Sequence, residues 1–284
     1  MLFDVGVALQ ALEARATAAA QALRPSLIGR LARRRRWLLG TLLAGSGWPF
    51  HLAALVLAPL TAVQPVLAIG LLLLLVLGDR MLGEAVGARE VIAVVAIVAG
   101  VAGMAWAAPA HASTHGAFAR VGPALAALGA IALAPFALRR RAASSLLVPI
   151  AAGSAFAFTG IASKLIADYL ESSSWGLLAL WFPLTAALAA AGILSEMTAL
   201  QRRAATQVVP IVFVVQICVP VLLAPVLGGE SWSDTPLGGL ALLGFLASVA
   251  TGAWLLGSAP GVSGLVAAGH RGGEGDRAAG APVA

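Results

Sequence analysis

Two apolar runs, Trp37–Leu57 and Thr61–Gly78, follow one another with a break only at Ala58-Pro59. Each holds about 20 residues, enough to cross a hydrocarbon core as a helix. The pair is preceded by Arg33–Arg36 and followed by Asp79, Arg80 and Glu84. Runs of this length joined by so short a turn read as a transmembrane hairpin. Trp48, His51 and Gln64 interrupt its apolar wall and are the first candidates for a site inside the membrane.

The rest of the chain obeys the same constraint. Of its 284 residues 60% are hydrophobic and 11% charged, with a mean hydropathy of +0.95. That leaves too little polar surface for a water-soluble globule, so the expected class is an all-α polytopic membrane protein. A net charge of +6 would point to nucleic acid in a soluble domain, but here the basic residues sit between apolar spans, where topology accounts for them. Cys218 is the single cysteine, which excludes an intramolecular disulfide and a CxxC centre.

In chain order, span 1 is Leu2–Leu12, shorter than a crossing needs, without a basic leader or a small-residue cleavage site. The basic loop Ala14–Arg36 follows. Spans 2 and 3 are the hairpin, span 4 is Val91–Ala108, span 5 Val121–Leu138, span 6 Leu146–Ala167, span 7 Trp175–Leu194, span 8 Gln207–Leu227 and span 9 Leu237–Leu256. Residues 1–257 form one transmembrane domain, and 258–284, rich in Gly and Ala, read as a disordered tail. With Ala14–Arg36 inside, alternate loops put every lysine and arginine except Arg120 and Lys164 inside or in the tail. The positive-inside rule then gives nine spans, an outside N-terminus and a cytoplasmic C-terminus in the plasma (inner) membrane.

A repeat runs through this layout. Ala54-Leu55 precedes Pro65 of Val63-Gln64-Pro65 as Ala199-Leu200 precedes Pro210 of Val208-Val209-Pro210, and Gly83-Glu84 and Gly229-Glu230 follow. Spans 3 and 8 are thereby related but run in opposite directions. The expectation is two inverted repeats of four, spans 1–4 (1–108) and 6–9 (146–257), joined by span 5, with the site at the midplane between them. Gly6–Gln10 aligns with Gly160–Lys164, so span 1 is the shortened copy of span 6, and further apolar residues encoded upstream of Met1 are expected.

Trp37, Gly40, Gly47, His51, Ala54, Ala58, Pro59, Val63, Pro65 and Glu84, with Ala199-Leu200, Val208–Val214 and Glu230-Ser231-Trp232 in the second half, form a pattern that resembles the NIPA-type magnesium transporter branch of the drug/metabolite transporter superfamily. The resemblance implies nine spans, an outside N-terminus and secondary transport by alternating access. It departs in span 2, where the NIPA pattern has a glutamate and an asparagine and this chain has Trp48 and His51. Indole and imidazole are poor ligands for Mg²⁺, which takes oxygen donors. The expected cargo is therefore a small solute or cation, with Mg²⁺ specifically as the alternative.

Candidate substrate-binding residues are Trp48 and His51, three apart on one helix face, with Gln64, Gln216, Gln10 and Lys164. For each there is a plain reading beside the functional one: packing for Trp48, an interhelical hydrogen bond for the amides, snorkelling for Lys164. Pro65 and Pro210 remove a backbone donor and are candidate helix breaks lining a cavity. Asp4 is the candidate coupling group if it lies in the membrane, and a solvated end residue if span 1 begins at Met1. His111 and His115 alone do not make a metal site. No catalytic motif is present, so an enzyme is not expected, nor is a cofactor. The partners implied are the solute or cation, membrane lipid and a second copy of the chain, not nucleic acid. A non-transporting membrane scaffold is the rival reading.

Overall fold

The apolar runs become helices because a helix is the single-segment structure that satisfies every backbone polar group without water. The computed structural model describes residues 2–57, 60–107, 118–138, 145–228 and 235–258. Among these there are ten α-helices and no strand: α1 Leu2–Arg15, α2 Pro25–Leu31, α3 Arg35–Leu57, α4 Leu60–Leu82, α5 Ala88–Ala107, α6 Phe118–Ala137, α7 Leu147–Glu171, α8 Trp175–Leu200, α9 Ala205–Gly228 and α10 Leu240–Gly257. Among the described residues three helices, α5, α8 and the segment Pro236–Leu256, are long and apolar enough to cross a membrane. Large apolar side chains also face outward, among them Leu42 at 68%, Phe182 at 67% and Trp254 at 68% exposure. A belt of this kind is stable against lipid and not against water.

Inside the bundle the contacts are made by small residues. A Cβ on Gly6 would lie 2.5 Å from the Gly40 carbonyl, so α1 and α3 cross with backbones touching. Gly153 seats α7 on Val212 and Val215 of α9, and Gly192 seats α8 on Ala155 of α7. Gly100 and Gly103 of α5 receive Val249 and Phe245 of α10, while Gly252 receives Ala93 and Ile97, so these two helices cross antiparallel. Without a hydrophobic drive between helices in lipid, such close van der Waals approach is what holds them. α1 packs on α3 and α4, α4 on α5, α7 on α8 and α9, and α9 on α10. α6, the expected connector in sequence, packs mainly on α7.

Several boundaries differ from the sequence expectation. Ala14–Arg36 is not a plain loop: it contains α2, and Leu23, Leu27 and Leu31 are fully buried with Trp37, Met197 and Leu200. α8 continues past Leu194 to Leu200, carrying Ser195, Glu196 and Thr198 into the interior. α10 starts at Leu240 because Leu237, Gly238 and Gly239 have positive φ. Cys218 is buried in an apolar cluster with α4 and α5 residues.

Candidate functional site

Asp4 lies in the first turn of α1 and is only 5% exposed. It is no solvated end residue, and the reason is Gly70 on α4: a Cβ there would stand 2.8 Å from both Asp4 carboxylate oxygens. α4 has 23 residues, a length of about 34 Å, and Gly70 stands near its middle. The carboxylate therefore sits at mid-depth of a helix as long as a membrane is thick. Gln10, two turns along, is buried and donates from Nε2 to Thr41 Oγ1 of α3 at 3.0 Å. Thr41 in turn donates to the Trp37 carbonyl at 2.9 Å. For Gln10 the structure favours the interhelical hydrogen bond.

A second polar cluster closes one end of the bundle. α9 starts after Ala204, which has no side-chain oxygen to cap it, so its first N–H groups need an acceptor from elsewhere. Glu84 provides it. Its Oε1 accepts from the Ala205 N–H at 2.6 Å, and Oε2 accepts from the Thr206 N–H at 2.9 Å and the Thr206 hydroxyl at 2.6 Å. Arg15 at the end of α1 donates to the same Oε1 and also reaches the carbonyls of Leu82 and Arg203. A carboxylate at a helix N-terminus, paired with a guanidinium, meets both the helix dipole and a full charge.

The same end holds the ion pair of Arg34 with Glu13 at 2.7 Å, the Leu23 N–H on Thr198 Oγ1 at 3.0 Å and the Trp37 indole N–H on Met197 Sδ at 3.4 Å. Arg89 donates to Ser258 Oγ. Residues 13–37, 82–89, 197–206 and 258 are thus brought to one end.

No family model, curated protein or solved structure matches this chain. The site must be read from its own geometry. Trp48 and His51 fall on α3, Gln64 on α4 and Lys164 on α7, but their side chains lie outside the described residues, and with them the expected convergence at the midplane. Also outside are His111, His115, the Arg139–Arg141 loop, Glu230 and the tail from 259. Gln216 is exposed on α9. α4 and α9 run unbroken through Pro65 and Pro210, the sixth residue of each helix. Each proline deprives one carbonyl of its helical donor, on Thr61 and Thr206 respectively. Among the described residues no cluster of three or more His, Cys, Asp or Glu could hold a metal.

Sequence reading missed the central part played by Glu84, which entered only as a motif position. No local signal points to it: Ala204 shows that the start of α9 lacks a cap of its own, but the partner lies 121 residues away in the chain.

Proposed function

We propose that this chain is a secondary transporter of the drug/metabolite transporter type. Its inverted repeats are α1 with α3–α5 and α7–α10, and it works by alternating access in the plasma (inner) membrane with the basic end cytoplasmic. The observation that carries the reading is Asp4, a buried carboxylate at mid-depth over Gly70. A charge at that depth is costly and marks an ion or proton pathway by default. The packing scheme supports the repeat. Within the first half α1 meets α3 and α4, and α4 meets α5; within the second α7 meets α8 and α9, and α9 meets α10. The related pair α5 and α10 cross antiparallel, as copies of opposite orientation must.

The cargo is a small solute or cation, moved in exchange with or alongside a coupling proton or cation, with Asp4 as the coupling group. Proteoliposomes with an imposed proton gradient, carrying pH- and Mg²⁺-sensitive dyes and offered a panel of small solutes and Mg²⁺, test this against protein-free liposomes. Gradient-driven flux is expected in the wild type, and Asp4→Asn, which keeps shape and removes charge, should drop it to background with normal folded yield. Absence of flux for every cargo would favour the scaffold reading; flux untouched by Asp4→Asn would remove Asp4 from the pathway.

A further inference from the structure

The Glu84 cluster joins the two halves of the molecule. Arg15 and Glu84 belong to the first half; Ala205, Thr206 and the Arg203 carbonyl belong to the second. Directly beneath, Leu23, Leu27, Leu31 and Trp37 of the first half share one buried cluster with Met197, Leu200 and Val208 of the second. We propose that Glu84 is the latch of a gate: its bonds hold the start of α9 against α1 and α4 and keep the basic end closed, and their release lets the halves part there. The proposal rests on the transporter reading, to which it adds the conformational state and the group that holds it.

The local geometry suits a part that opens. Glu84 lies between α4 and α5 in a segment begun by Gly83 at φ +61° and ended by Gly87; its N–H is held by the Gly78 carbonyl at 2.9 Å, so the latch releases by rotation of the Glu84 side chain, with both helices left in place. Arg15 retains 19% side-chain exposure and Glu84 2%, so the Arg15 edge of the latch lies at the rim while the carboxylate and its bonds to the start of α9 are buried. The fit is also discrete. A Cβ on Gly78 would overlap Thr206 Cγ2 and stand 3.0 Å from Glu84 Oε2, so an added methyl should force the latch apart without altering any charge.

The test reads accessibility rather than transport. In a Cys218→Ala background, Val208→Cys reports from the buried cluster under the latch and Leu125→Cys reports from the separate cluster on α6; both native side chains are buried. A water-soluble maleimide is applied to each protein in nanodiscs. Glu84→Ala and Gly78→Ala should each speed labelling of Val208→Cys by about tenfold, since bonds to charged groups are the strong ones. Glu84→Gln should fall between, and Leu125→Cys should not change. Unchanged rates at Val208→Cys would overturn the proposal. So would rates rising together at both reporters, because that is loosening of the whole bundle. Selective opening in a protein that moves no cargo would retire the transporter reading and keep the latch; transport with unchanged labelling would retire the latch alone.

Discussion

Leu23 shows how one strained residue is held. Its φ of +57° is in the left-handed region, which costs a non-glycine residue on the order of 1–3 kcal/mol. Two things offset the strain: a fully buried side chain and the bond from its N–H to Thr198 Oγ1, whose own hydroxyl donates to the Leu194 carbonyl at 2.8 Å. Thr198→Val keeps the volume and removes the acceptor, leaving a buried N–H unpaired. The expected loss is about 1–3 kcal/mol, read as a lower unfolding midpoint in detergent. Thr198→Ser should recover most of it. A midpoint unmoved by the valine would mean that burial alone holds Leu23.

Helix α1 has 14 residues, about 21 Å, and its place in the bundle depends on how closely it can approach its neighbours. Gly40 of α3 faces the Gly6 carbonyl, which a Cβ would meet at 2.6 Å. Backbone cannot yield as a side-chain tip can, so Gly40→Ala must push the helices apart, at about 1–3 kcal/mol. The same substitution at Gly45, where a Cβ would meet nothing within 4 Å, is the matched control and should be near neutral. Comparing the two thermal midpoints checks the crossing. The element boundaries follow a related rule. α8 keeps going through Ser195, Glu196 and Thr198 because α2 and its flanking chain bury that polar turn, a contact that local hydropathy does not register.

At the scale of the molecule, the bonds Arg34 to Glu13, Arg15 to Glu84, Gln201 to the Thr17 carbonyl and Arg89 to Ser258 gather residues 13–34, 84–89, 201 and 258 at one end of the bundle. If the proposed orientation holds, with the basic end cytoplasmic, reporter fusions after Ser26, Val86, Arg203 and Ser258 all read cytoplasmic. The basic-loop count adds Arg139–Arg141 to that side. Two of these positions on opposite faces would overturn the proposed nine-span order and the proposed inverted relation of α5 to α10.

The chain's own sequence determined that this is a bundle of apolar helices and roughly where each one lies, because these depend on run length and backbone satisfaction, both local quantities. Tertiary structure alone decided the rest. Asp4 is a mid-depth carboxylate only because Gly70 leaves room for it, and Glu84 is the cap of α9 only because Ala204 cannot be. Leu23 and α2 enter the core only because α8 offers Thr198 and Met197. Each of these joins residues far apart in the chain, and a pattern read along one segment holds no record of the segment that will pack against it.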